Sequence, residues 1–240
     1  MLTLPDASAA AAVELLGATT QGLLGFGINL VAAPLLVLID PHFAPSPVVL
    51  AGIVSSVLVG TRERGSADGA TITWALAGRL PGTALGVWIV AAVASRYLRP
   101  LVGAVVLAGA AAVAARRALR RTRPALLGVG VVSGVMSTIA GLGGAPLGLV
   151  CHDLPGRVLR PTLAFFSLAG ALLAAAALAA AGQVSYVSLE LTAVLLPGVF
   201  GGFLLSGVLV PVADRWPTMR PAVLALAAAG AIAAIVKGLW

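Results

Sequence analysis

Apolar residues run along this chain in eight long stretches, and the short segments between them hold nearly all the charge. The stretches are Ala7–Ile39, Pro47–Gly60, Ala70–Ala94, Leu98–Ala115, Ala125–Cys151, Leu163–Ala181, Leu189–Val210 and Ala222–Leu239. Apolar positions are continuous within each stretch rather than alternating, and the stretches are longer than ordinary strands, so the pattern predicts helices throughout. Two of them differ from the rest. Ala7–Ile39 as one straight helix would measure about 50 Å, against about 30 Å for the hydrocarbon core of a bilayer. It is interrupted at Gly25-Phe26-Gly27-Ile28-Asn29, and Ala125–Cys151 is interrupted at Gly141-Leu142-Gly143-Gly144-Ala145-Pro146. Both are therefore expected to break inside the membrane.

The two breaks belong to a longer correspondence at a constant offset of 116 residues. Gly25 and Gly27 meet Gly141 and Gly143, and Pro45 meets Pro161. Pro81-Gly82-x-x-x-Gly86 meets Pro197-Gly198-x-x-x-Gly202, and Arg99 meets Arg215. This predicts two homologous halves, 1–118 and 119–240, within one transmembrane domain.

Composition excludes a water-soluble fold. Of 240 residues 60% are hydrophobic and 10% charged, with mean hydropathy +1.08, whereas soluble domains carry roughly 25% charge. The net charge of +7 lies in short loops, where it orients a membrane protein and meets anionic lipid, so no nucleic-acid partner is expected. The single cysteine, Cys151, precludes an internal disulfide. The first residues carry acids and no Lys or Arg, so the first apolar run is expected to stay in the mature protein.

Loop charges discriminate between topologies. With eight crossings the halves are parallel, and Lys and Arg divide eight against six between the two faces. With the first and fifth stretches re-entrant, the halves are inverted. Arg62, Arg64, the Arg116–Arg123 cluster, Arg157, Arg160, Arg215 and Arg220 then share one face, eleven against three for Arg96, Arg99 and Lys237. The positive-inside rule favours this inverted arrangement, with both termini outside.

Candidate chemistry gathers at the breaks. Irregular backbone at membrane depth is tolerated only where protein or a watery cavity satisfies it, and half-helices starting there aim N–H groups at an anion. The competing reading is that these glycines only permit close helix packing. The candidate anion-binding residues are Gln21, Gly25, Gly27, Asn29, Arg79, Ser137, Thr138, Gly141, Gly143 and Gly144. Ser55, Ser56, Ser133 and Ser167 are further polar groups, although Ser and Thr often bond only their own preceding turn. Arg79 is the one basic residue deep inside an apolar stretch, since Arg99 and Lys237 lie at stretch ends. It either reaches the cavity or snorkels to the surface. Glu14 is a candidate for ion coupling or for pairing with Arg79, against a plain position near the outer surface. Glu190 is expected at the interface. Pro81-Gly82 and Pro197-Gly198 are expected bends or hinges.

Enzyme signatures are missing. His42 and His152 are isolated, and there is no H-E-x-x-H, G-x-S-x-G or Walker motif. No metal or cofactor is expected, and the energy for any transport has to come from a gradient or from a separate subunit.

These features together resemble the TauE/SafE family of bacterial membrane transporters, the sulfite exporters and their relatives. The resemblance rests on an apolar helix leading into a glycine break, a P-G-x-x-x-G helix and an arginine-flanked last helix in each half. Gly141 to Pro146 is similar to the second-half motif with one Gly replaced by Ala. Gly25 to Asn29 departs further and makes Asn29 a side-chain substitute for a lost backbone contact. The resemblance implies a multi-pass protein of the bacterial inner membrane. Such a protein carries sulfite, sulfonates or similar small anions by secondary transport, with the anion near the midplane. It leaves open a coupling proton or sodium ion and a homodimer. The alternatives are an anion-selective channel and a scaffold or accessory subunit without transport.

Overall fold

A computed structural model describes the chain except residues 1, 25–26, 63–65, 116–119, 152, 214–218 and 240. The expectations placed on Gly25, Phe26, Arg64, Arg116, Arg117, His152 and Arg215 therefore lie outside the described residues. Among those described, every regular element is helical. The helices are α1 (Leu4–Leu24), α2 (Ile28–Ile39), α3 (Ser46–Arg62), α4 (Gly69–Ala92), α5 (Leu98–Ala114), α6 (Arg123–Ala140), α7 (Gly144–Val150), α8 (Gly156–Ala180), α9 (Tyr186–Ala213) and α10 (Met219–Leu239). Helices α4, α6, α8, α9 and α10 are each long and apolar enough to cross a bilayer.

Each of the two longest apolar stretches is divided at its glycines, the first into α1 and α2 and the second into α6 and α7. The other boundaries fall within about four residues of the sequence reading, with one exception. Helix α8 starts at Gly156, ahead of the expected Leu163, because Arg157 and Arg160 are part of its first turns. Helices α4 and α9 run through Pro81 and Pro197.

The helices pack in a crossed pattern. Helix α1 lies along α9, α4 along α6, α3 against α8 and α5 against α10. Small residues allow this closeness, as is usual where lipid removes the hydrophobic drive between helices. A Cβ on Gly82 would fall on the carbonyl oxygen of Val131, and one on Gly130 would fall on that of Ala75. Across the α1–α9 contact, a Cβ on Gly198 would fall on the Ala11 carbonyl oxygen.

Polar contacts gather at two ends of the bundle. At one end Arg99 donates to the Val37 carbonyl at 3.0 Å, Lys237 to Leu38 at 2.9 Å and Ser46 to Gln183 at 2.7 Å. These cations cap the C-terminal carbonyls of α2, where the helix dipole is negative. At the other end Asp68 caps α4 and accepts from the Thr71 N–H at 3.0 Å. Arg121 donates to Asp68 at 2.6 Å and lies 3.7 Å from Asp153. The Thr71 N–H, helped by the Thr71 hydroxyl and Arg121, holds the Asp68 carboxyl below its usual range despite partial burial.

Candidate functional site

The two chain breaks meet. Helix α6 ends on Gly141 in the left-handed region at φ 68°. The Gly141 N–H reaches back to Ser137 at 2.8 Å and the Leu142 N–H to Met136 at 3.2 Å, a glycine stop that satisfies the last carbonyls of the helix. Gly27 precedes α2 with φ 102°, also left-handed and favouring glycine. Asn29, 1% exposed, joins the two breaks. Its Nδ2 donates to Val48 at 3.1 Å and to Gly141 at 3.3 Å, while Oδ1 has no partner. Asn29 therefore acts as a bracket between the halves.

Beneath this junction lies a small cavity of about 30 Å³, measured as space open to the centre of a water molecule. That is room for about two waters. Its walls include Gln21, Gly27, Asn29, Arg79, Ser137, Gly141, Gly143 and Gly144. Of the candidate binding residues, only Thr138 and the undescribed Gly25 are not placed there. Thr138 spends its hydroxyl on the Gly134 carbonyl at 2.9 Å, within its own helix. Ser56 and Ser167 do line the cavity, whereas the Ser133 hydroxyl donates to the Gly143 carbonyl and shapes the break itself.

Arg79 dominates the site. It is 0% exposed, which rules out the snorkelling alternative. Nη2 donates to the Ser137 hydroxyl at 2.5 Å and Nη1 reaches the Phe166 carbonyl at 3.5 Å. The guanidinium lies 4.7 Å from the centre of the Phe166 ring, a cation–π contact, and Nε has no partner. Among the described residues no carboxylate forms an ion pair with it. The side chain fits because Gly143 and Gly170 leave it room, since a Cβ on either would overlap the guanidinium. A buried cation that no described carboxylate neutralises, at the wall of a polar cavity, has the chemistry to pair with an anion.

Sequence reasoning missed Phe166 and Gly170. Neither has a motif, and each matters only because α8 passes beside α4. Glu14 is 0% exposed on α1 with neither carboxylate oxygen partnered. It does not pair with Arg79 and is buried within the protein. Glu190 is exposed in the first turns of α9. His42 sits in a surface turn with its Nδ1 2.7 Å from Asp40. Among the described residues there is no group of His, Cys, Asp and Glu able to hold a metal.

Compared with known proteins, residues 10–234 match the family model described as Sulfite exporter TauE/SafE. No curated protein and no solved structure matches the chain.

Proposed function

The chain belongs to the sulfite exporter TauE/SafE family, and on that premise we propose that it is a secondary transporter. It carries sulfite or a similarly small sulfur-containing or organic anion across the bacterial inner membrane. The carrying observation is Arg79, wholly buried, without a carboxylate and opening onto the cavity where the two helix breaks meet. Guanidinium presents a planar fork to anionic oxygens. Ser137, Gln21, Asn29 and the backbone of Gly27, Gly141, Gly143 and Gly144 complete the shell. The small volume favours a compact oxyanion over a long organic one.

The reading includes two homologous halves in inverted orientation, each opening with a re-entrant hairpin. Several contacts support it. Leu2 and Asp40, at the two ends of the α1–α2 hairpin, line one groove. Arg121 and Asp153, at the two ends of α6–α7, lie 3.7 Å apart. Exchanging the halves turns the α1–α9 pairing into α6–α4, and both pairings are present. Pro81-Gly82 and Pro197-Gly198, where these pairs are in close backbone contact, are the proposed pivots for alternating access.

The test is radiolabelled sulfite flux into proteoliposomes, paired with sulfite titration of the purified protein by thermal shift. Arg79→Lys keeps the charge but loses the fork and should bind more weakly. Arg79→Gln should weaken binding by at least about 100-fold, as expected when charged hydrogen bonds to the anion are lost. Parental ligand-induced stabilisation in both variants would remove Arg79 from the site. Accumulation against a gradient separates a transporter from an anion channel, and absence of flux would favour the scaffold.

A further inference from the structure

We propose that Glu14 is a proton-binding site linked to the anion cavity, making this a proton-coupled carrier. The linkage rests on the transport reading above, whereas the proton site stands on its own geometry.

Glu14 lies midway along α1, with no exposed surface and no partner for either carboxylate oxygen. The elements packed most closely on α1 are α9 and α2. Helix α2 has no ionisable residue, and those on α9 are Tyr186 and Glu190, both exposed in its first turns. On α1 itself, Asp6 is exposed two turns earlier. The cation that reaches α1 is Arg62, which donates to the Gly22 carbonyl at 2.7 Å. That carbonyl is eight residues, or about 12 Å of helix, beyond Glu14. An ionised carboxylate in such surroundings carries a heavy desolvation penalty that no described cation is placed to offset. The neutral acid is therefore the form that fits, and ionisation requires water to reach the α1–α9 contact.

The position is not one that packing demands. Under the 116-residue correspondence its counterpart is Gly130, where α4 comes so close that an added Cβ would meet the Ala75 carbonyl oxygen and lie 3.0 Å from the Arg79 nitrogen. The counterpart of Arg79 is the apolar, buried Leu195. Each helix pair thus carries one buried ionisable group, a cation in α4–α6 and an acid in α1–α9. Gly198 leaves the space for the acid, since its added Cβ would come within 3.0 Å of the Glu14 Cβ.

Helix α1 also connects this group to the anion. Gln21 is seven residues on, two turns along the same face, and lines the cavity together with Gly27. A roll of the α1–α9 pair that brings water to Glu14 on its flank also displaces Gln21 from the cavity wall. Proton release and cavity opening are thereby biased by one movement, which is the condition for reciprocal linkage between two ligands.

The test uses the full-length protein in liposomes. In the infrared, wild type at neutral pH should show a protonated-carboxyl stretch that is lost in Glu14→Gln and disappears from wild type at high pH. Its absence at neutral pH would overturn the proton site. With an imposed pH gradient, wild type should move radiolabelled sulfite at a rate that follows the gradient. Glu14→Gln should keep the sulfite-induced thermal shift and lose the gradient response entirely, while Glu14→Asp should retain part of it. A gradient response in Glu14→Gln equal to wild type, or none in wild type, would overturn the coupling. Because Gln mimics the neutral acid, unfolding of that variant would also refute the assignment. If wild type neither binds nor moves sulfite, the transport reading fails and the infrared band alone decides Glu14.

Discussion

Replacing Gly143 by alanine should weaken anion binding while leaving the protein folded, because of what the added methyl meets. Its Cβ would sit 2.9 Å from Nη1 and 3.0 Å from Cζ of Arg79, and closer still to Nη2. These atoms are the far end of a flexible side chain, so the guanidinium swings aside and no helix has to move. Swinging removes the 2.5 Å bond to Ser137 and turns the fork away from the cavity. A hydrogen bond to a charged group contributes about 1.5–3 kcal/mol, which corresponds to roughly 10–150-fold in Kd. Gly82→Ala is the contrasting case. Its Cβ would lie on the Val131 carbonyl oxygen and 2.8 Å from that residue's carbonyl carbon and Cα, all backbone. There α4 and α6 must separate, and overpacking of this kind typically costs about 1–3 kcal/mol. Gly128→Ala, on the same helix as Gly134 with nothing within 4 Å, is the neutral control. Thermal unfolding with and without sulfite, together with titration calorimetry, separates the three. Parental sulfite affinity in Gly143→Ala, or a drop in its unfolding temperature as large as that of Gly82→Ala, would refute the reasoning.

Asn29→Ala removes both bonds of the bracket and leaves the Val48 and Gly141 carbonyls one donor short, although Gly141 keeps the Gly143 N–H at 3.2 Å. Unfolding temperature should fall by the equivalent of about 1–3 kcal/mol, with flux falling further. Asp68 has a depressed carboxyl, so its stabilising contribution is present at neutral pH and is lost as pH falls through the folded-state value, below the usual carboxylate range near about 4. In a pH series of unfolding temperatures, Asp68→Ala should lose about 1 kcal/mol of cap stabilisation at neutral pH and show a flatter acid limb. For topology, Thr3→Cys and Arg120→Cys in a Cys151→Ala background should label from outside and inside respectively. Labelling of both from one face would reject the inverted arrangement.

The sequence exposed the cavity through residues that carry local rules. The glycine runs beginning at Gly25 and Gly141 mark breaks in stretches too long for one straight span, and Arg79 marks an expensive charge inside an apolar stretch. Those rules act over a few residues, so the breaks between Leu24 and Ile28 and between Ala140 and Gly144 could be placed from sequence. Glu14 could not be placed from sequence. Whether it meets lipid, water or another helix is decided by α9, about 180 residues later, and α1 offers no marked stripe to say which face is covered. Gly170 was illegible for a related reason, since a glycine that makes space for a side chain 91 positions earlier leaves no trace in its own neighbourhood. Thr138 shows the converse. Its hydroxyl suits an anion, but its own helix supplied an acceptor first.

The glycine contacts along α4–α6 and α1–α9 also have a mechanical consequence. Where carbonyl oxygens bear directly on a neighbouring helix with no side chain between, there is no soft layer to shear, and parting the helices would forfeit the whole line of contact at once. Each pair therefore behaves as a stiff two-rod beam with one rod from either half of the chain. In the proposed transport cycle, motion that admits a solute is a relative roll of two such beams, with the Asn29 bracket as the clasp between them. Under that proposal, stiffness within the beams and compliance between them would let a cavity that holds about two waters change sides without the bundle coming apart.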